Sequence, residues 1–506
     1  MRRTRTLLPA LPLAALLVTT VTQLAPSAAA AETTACATVP VTAPSGAKIE
    51  SVQAEPKPGY CEITVTLTHP GADDHVKVGV ALPQTGWTGR LQAVGGSAYA
   101  AGDFGAPLAQ AAKDGYAGVT TDAGVLTGLD TSWALTAPGK VNRPLLTNFA
   151  TRSVHEAALI GKDVTQRFYH RPVTYSYWNG CSTGGRQGYS EAQNYPGDFD
   201  GILANAPAVH WTQFAVATLW PQIVMNQEHD FPSACVFTAF RQAAVKACDA
   251  NDGVRDGIVD RPDECSYDPR SLIGTKVLCD GKEIAVTAKD ADVMRKIWAG
   301  PTDERGRKLW DGLPKGADFT WLAGTGDSPY ATGFPVAVKW VQSFLAKQAD
   351  FDVSKLSYSQ FAQVFRQSVR EYDDVIGTAD PDLSAFRRTG GKLLTFVGTD
   401  DQLIPPGGTL RYRAEVERAM GGSHRVNDFY RLFLAPGVEH CGGGTGATPT
   451  NPLGALVDWV EHGKAPATLA AATADGKQTR DLCAYPRVSR YKGYGDPAVA
   501  SSYRCR

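Results

Sequence analysis

A strand-like run at 173–178 leads into Gly180-Cys181-Ser182-Thr183-Gly184, and a helix-forming stretch at 187–193 follows. This succession constrains the chain more than any other feature. A serine at the tip of a strand–turn–helix reversal needs small neighbours, because the turn is sharp and the adjoining backbones approach closely. The helix beyond it aims unpaired amides at the place where negative charge would develop. A G-x-S-x-G string alone is common in loops. Its position between strand and helix predicts a nucleophile elbow, with Ser182 as the nucleophile.

The rest of the chain supplies a sheet for such an elbow. Short β-rich runs at 63–68, 77–81, 91–94, 118–122, 393–397 and 429–434 alternate with helical stretches, which predicts an α/β fold. Residues 149–169 carry apolar side chains at helical spacing, interrupted only by Gly161, and predict the crossover helix into the strand before Ser182. From about Trp211 to Phe386 the text turns helix-rich and aromatic, and the sheet resumes at Gly390-Gly391-Lys392. The expected architecture is an α/β-hydrolase sheet domain, residues 32–211 and 387–506, with a large inserted lid over 212–386.

Residues 1–31 read as a secretory signal: Arg2, Arg3 and Arg5, an apolar run broken by prolines and threonines, then an alanine tract suited to cleavage. Arg2-Arg3 leaves the choice between the general and twin-arginine export routes open. A net charge of -1 gives no electrostatic case for nucleic acid or an anionic membrane. Ten cysteines in an exported chain predict five disulfides, and their spacing does not suggest zinc.

A serine hydroxyl needs a base. Among nine histidines, His440 stands in a loop just past a strand-like run, where an α/β-hydrolase carries its base. Cys181 immediately precedes Ser182 and Cys441 immediately follows His440. A bridge between these cysteines holds their Cα atoms roughly 4.4–6.8 Å apart and brings serine and histidine together. For the third member, Asp400 and Asp401 both follow the strand at 393–397, and local chemistry does not choose between them. The order Ser…Asp…His suits the fold.

These residues resemble the tannase/feruloyl esterase family, which also includes the mono(2-hydroxyethyl) terephthalate hydrolase. The carrying motifs are Tyr177-Trp178-Asn179-Gly180-Cys181-Ser182-Thr183-Gly184-Gly185-Arg186-Gln187-Gly188, Asp198-Phe199-Asp200-Gly201, Gly398-Thr399-Asp400-Asp401 with Ile404-Pro405-Pro406, His440-Cys441-Gly442-Gly443-Gly444, and Trp459-Val460-Glu461-His462-Gly463. The resemblance selects Asp401 as the triad aspartate. It implies an oxyanion hole from the Thr183 amide and one amide of the Val94-Gly95-Gly96-Ser97-Ala98-Tyr99 loop, Gly96 being the expected donor and Ser97 its rival.

In the lid, Cys248-Asp249-Ala250-Asn251-Asp252-Gly253-Val254-Arg255-Asp256-Gly257-Ile258 resembles the family's structural calcium loop. That implies carboxylate ligands Asp249, Asp252 and Asp256, carbonyl ligands Val254 and Ile258, and a Cys248–Cys265 clasp. The family usually has a further cysteine where this chain reads Ala285-Val286-Thr287, so Cys279 is left for Cys235, with Cys36–Cys61 and Cys483–Cys505 remaining by elimination. The implied activity is hydrolysis of aromatic acyl esters, feruloyl or related hydroxycinnamoyl groups on plant polysaccharide ahead of galloyl esters of tannin, with no organic cofactor. A non-catalytic secreted binding protein on the same fold would typically lack a triad member, and none is missing; a peptidase is the other enzymatic alternative.

Overall fold

The computed structural model describes residues 35–125, 128–324 and 333–506. The expected signal, residues 1–31, lies outside the described residues. Among these, nine strands build one sheet: β1 (Lys48–Lys57), β2 (Tyr60–Thr68), β3 (Val76–Pro83), β4 (Arg90–Val94), β5 (Ala117–Thr121), β6 (Tyr175–Cys181), β7 (Gly201–Asn205), β8 (Lys392–Gly398) and β9 (Tyr430–Ala435). Their order is β1-β2-β3-β5-β4-β6-β7-β8-β9. The first four positions pair antiparallel. From β5 onward every pair is parallel, as strands joined by helical crossovers must be.

Burial follows from that placement. In β2, Cys61, Ile63, Val65 and Leu67 are buried while the residues between them are half-buried, the alternation of an outer strand with one covered face. In β5 and β7 every residue is buried, because helices cover both faces. Helix α1 (Ser153–Tyr169) makes the crossover into β6. It begins later than the sequence pattern suggests, after a wider π-type turn at Asn148–Arg152. There Asn148 donates to Asp74 Oδ2 at 2.7 Å, and the Ser153 hydroxyl donates to the Asn148 carbonyl at 2.7 Å, side-chain bonds that reshape the first turn.

Between β7 and β8 the chain is mainly helical, including Trp211–Ala217, Trp220–Glu228, Ala234–Cys248, Ala288–Ala299 and Tyr358–Ile376. The last opens on a reciprocal cap between Ser357 and Gln360 and buries Phe361, Phe365, Tyr372 and Ile376. A hairpin, Lys276–Cys279 with Lys282–Ala285, turns on Asp280-Gly281, both at positive φ, and was not anticipated. The aromatic core of this segment is continuous with Tyr99, Trp133, Leu146 and Phe149, which precede it in the chain. Disulfides join Cys36–Cys61, Cys181–Cys441, Cys235–Cys279, Cys248–Cys265 and Cys483–Cys505. No described helix is long and apolar enough to cross a membrane.

Candidate active site

β6, β8 and β9 end on the same edge of the sheet, and the turns beyond those ends carry Ser182, Asp401 and His440. Ser182 has φ 63° and ψ -120°, a conformation disfavoured for a residue with a side chain. The turn is over-determined by its surroundings. The Ser182 amide donates to Asn205 O at 3.1 Å, and its carbonyl accepts from the Arg186 and Ala208 amides at 3.0 and 3.3 Å. A Cβ at Gly180 would stand 2.6 Å from Gly184 backbone atoms, so only glycine closes this elbow. Helix α2 (Thr183–Asn194) starts directly after the serine. The sequence pattern places its start several residues later, because Gly184, Gly185 and Gly188 depress helix propensity in a helix held by packing.

His440 Nδ1 lies 2.9 Å from Asp401 Oδ2 and 3.1 Å from Oδ1. Asp401 is fully buried and also accepts from the Leu403 and Ile404 amides at 3.0 and 2.8 Å. The His440 amide donates to Gln402 Oε1 at 3.2 Å. With Nδ1 against the carboxylate, the ring presents Nε2 as its basic nitrogen. Asp400 does not reach the imidazole. It faces a separate cavity of about 350 Å³ shared with Arg241 and Glu439. Burial there pushes its carboxyl up to about 7, against the pull of Arg241, and one of its oxygens has no hydrogen-bond partner.

The Cys181–Cys441 bridge, with Cα atoms 5.9 Å apart, ties the serine turn to the histidine loop. Ser182 Oγ makes no hydrogen bond to His440 among the described residues; such contacts are often loose until substrate tightens them.

The oxyanion expectation needs correction at one position. The Thr183 amide is the first of α2, where no intrahelical acceptor exists. The Gly96 amide, however, donates to Gln187 Oε1 at 3.0 Å, and the rival Ser97 amide donates to Ala100 O at 3.1 Å. Both are committed to holding the loop. The Ala98 amide makes no hydrogen bond among the described residues, Ala98 sits at φ 49°, and its carbonyl accepts from the Thr183 hydroxyl at 2.6 Å.

Two supporting residues carried no role in the sequence reading although both lie in the serine motif. Gln187, besides accepting from Gly96, donates to Ala101 O at 2.8 Å. Arg186 is wholly buried, donates to Ala150 O and Phe149 O at 2.8 and 3.1 Å, and packs against the Phe149 and Trp211 rings. Burial pushes its guanidinium down to about 9. A charged residue two places past a G-x-S-x-G string is the signal that could have found it.

The acidic loop at 249–258 is held by its own backbone. Asp249 Oδ1 accepts from the Asp256 and Gly257 amides, each at 3.1 Å, and Asp252 Oδ1 accepts from the Val254 amide at 2.9 Å. Among the described residues no three acidic, histidine or cysteine side chains converge as a finished metal cage. The donor chemistry nonetheless suits a hard divalent cation. Burial pushes Asp260 up to about 7 and raises Asp256, both also raised by Asp252, with Arg480 the cation that opposes this. One Asp260 oxygen is buried without a partner. Excess carboxylate charge of this kind is what bound calcium relieves.

Residues 61–506 match the model of the family described as tannase and feruloyl esterase. A probable feruloyl esterase of Arthroderma benhamiae is 47% identical over 458 residues, covering 88% of this chain and 85% of that protein. Feruloyl esterase B of Aspergillus niger is 31% identical, covering 88% and 86%. Among solved structures, the tannin acyl hydrolase from Aspergillus niger superposes with TM-score 0.84 at 26% identity, covering 91% of this chain and 92% of that one. Elbow, buried aspartate–histidine pair and matched length agree: this chain belongs to the tannase and feruloyl esterase family.

Proposed function

We propose that this protein is a serine carboxylic-ester hydrolase that cleaves aromatic acyl esters, with Ser182 as nucleophile, His440 as general base and Asp401 as the group that orients the imidazole. The observation that carries this is the 2.9 Å contact between His440 Nδ1 and buried Asp401, on a loop bonded through Cys441 to the residue preceding Ser182. His440 Nε2 takes the hydroxyl proton as Ser182 Oγ attacks the ester carbonyl. The Thr183 amide, with the Ala98 amide in place of Gly96, donates to the oxyanion. Collapse expels the alcohol, protonated by His440. Water deprotonated by the same ring then releases the aromatic acid and restores Ser182.

Hydroxycinnamoyl groups lead as the acyl class, because the relatives matched over most of their length bear the feruloyl esterase name. A galloyl group is the second reading, favoured by the superposition on a tannin acyl hydrolase. The alcohol is then a plant polysaccharide or tannin hydroxyl, with residues 212–386 as the lid over the site. Five disulfides support an oxidising, extracellular setting.

The lid loop is assigned a structural calcium. The Asp249, Asp252 and Asp256 carboxylates and the Val254 and Ile258 carbonyls would hold it. Its chemistry is charge neutralisation that fixes the loop, and no step of ester cleavage passes through it.

Purified protein assayed on methyl ferulate, methyl gallate, p-nitrophenyl acetate and a peptide panel tests the reading. Turnover of methyl ferulate above methyl gallate is expected. Gallate preference selects the second reading, and turnover of peptides alone overturns both.

A further inference from the structure

A second cavity lies away from the triad. It occupies about 770 Å³ between the lid and the C-terminal segment, walled by Trp298, the Pro405–Pro406 turn, Tyr485 and Arg487. Ser182, Asp401 and His440 do not line it. Its volume falls within the roughly 300–1,000 Å³ of ligand clefts.

The charge lining this cavity is unbalanced. Each aspartate in the wall already faces a cation: Asp311 has Lys308 at 2.8 Å and Arg411 at 2.9 Å, Asp263 has Arg261 at 3.7 Å, and Asp260 has Arg480 at 3.8 Å. Lys315 from the lid, which donates to the Cys265 carbonyl and lies over the Trp298 ring, and Arg487, Arg490 and Arg506 from the C-terminal segment also line the cavity, and none of these four side chains forms an ion pair among the described residues. Arg487 is exposed, and Arg431 behind it is pushed down by burial and then by the charge of Arg487. Cations are thus gathered from two separate walls without aspartate or glutamate side chains to neutralise them. Between them lie partly exposed Trp298 and Tyr485 rings and proline faces. Guanidinium forks match carboxylates, and flat apolar faces match the C–H faces of pyranose rings.

We propose that this cavity is a second binding site, for a saccharide chain bearing uronate carboxylates. It holds the acidic polysaccharide whose aromatic ester the triad cleaves. That link to the ester rests on the reading under Proposed function; the ligand class of the cavity does not. Thr399 and Pro405 flank the Asp401 turn and Pro436 opens the His440 loop, so a bound chain lies against the outer side of both catalytic loops.

The test is calorimetric titration of the full chain with a glucuronate-substituted xylo-oligosaccharide and with unsubstituted xylohexaose, alongside methyl ferulate turnover. The acidic oligosaccharide should bind at least tenfold more tightly than the neutral one. The Arg487→Ala/Arg490→Ala double variant should lose about tenfold or more of that affinity, since each tenfold needs only about 1.4 kcal/mol. Methyl ferulate turnover should stay unchanged. Lys315→Ala, on the opposite wall, should lower affinity as well and decides the matter if the double variant misfolds. Equal binding of both oligosaccharides, full affinity in the variants, or displacement by inorganic sulfate at the oligosaccharide's own concentration overturns the proposal. A wild-type protein that binds the acidic chain yet leaves methyl ferulate intact would strike the ester reading and leave the cavity's ligand standing.

Discussion

Replacing both Cys181 and Cys441 by alanine removes the covalent tie between the serine turn and the histidine loop while leaving every triad residue present. The two cysteines are 260 residues apart in sequence. Closing a loop of that length removes about 19 cal/mol/K from the unfolded chain, or about 5–6 kcal/mol at 25 °C, in the chain-entropy treatment. The Cys235–Cys279 bridge shortens the loop by its 44-residue span, and Cys248–Cys265 is nested within it. The logarithmic dependence makes that correction only about 0.2 kcal/mol. Measured disulfides commonly deliver less than the entropic limit, so a loss of about 3–5 kcal/mol is expected. Cys441 sits at φ 64°, where alanine is no worse placed than cysteine, so the substitution adds no new backbone strain. Loosening the histidine loop by about 1 Å should lower kcat on the order of 10²-fold. Urea melts and methyl ferulate kinetics, run well below the variant's melting temperature, read the two effects separately. A variant with kcat within about twofold of the wild type refutes the positioning argument, whatever its stability.

Ser182→Ala should reduce turnover to under a few per cent with an unchanged melt, because the hydroxyl holds no partner whose loss would unfold the turn; residual activity above that level removes the nucleophile assignment. Asp401→Asn should lower kcat by about 10⁴-fold, the scale known for a triad aspartate, and an equal loss in Asp400→Asn would reverse the choice between them. Asp400→Asn should instead act on stability. Its carboxyl titrates at about 7 in the fold and near 3.9 when unfolded, so the native state binds the extra proton and wild-type stability falls as pH rises from about 4 to about 7. The variant's advantage is therefore absent at pH 4 and full above pH 7, with an upper bound of roughly 4 kcal/mol; melts with parallel pH profiles would refute this. Excess EGTA should lower the melting temperature more than it lowers initial rates, since a ligand held at 100 times its Kd stabilises by about 2.7 kcal/mol; an unmoved melt with no metal by elemental analysis excludes the calcium.

Much of this site was legible in sequence because its chemistry rests on adjacency. Cys181 beside Ser182 and Cys441 beside His440 encode a spatial contact in one dimension, and the bridge follows it. Asp400 and Asp401 were not separable on local chemistry, since the distinction lies in which carboxylate the Leu403 and Ile404 amides donate to. Gly96 failed for a related reason: an amide's availability depends on what a distant side chain does, and Gln187 takes it. The early start of α2 was hidden because its glycines serve close packing rather than helix propensity. The Asp280-Gly281 hairpin was a local turn signal set in a helical stretch. The burial of Arg186 depends on rings from Phe149 and Trp211, which no window around the serine contains.

The aromatic core that Tyr99, Trp133, Leu146 and Phe149 share with the inserted segment bears on how substrate enters. A cap that swung open as a rigid body would strip these four side chains of their packing. At about 1.5–3 kcal/mol for each large apolar side chain returned to water, the penalty is on the order of 10 kcal/mol. That rivals the net stability of a whole domain, so such an opening would scarcely be distinct from unfolding. Any motion that admits substrate to Ser182 must therefore leave this shared core packed. The segment over the site is anchored like part of the hydrolase core, and selectivity is then shaped by the side chains and loops at its margin rather than by a swinging roof.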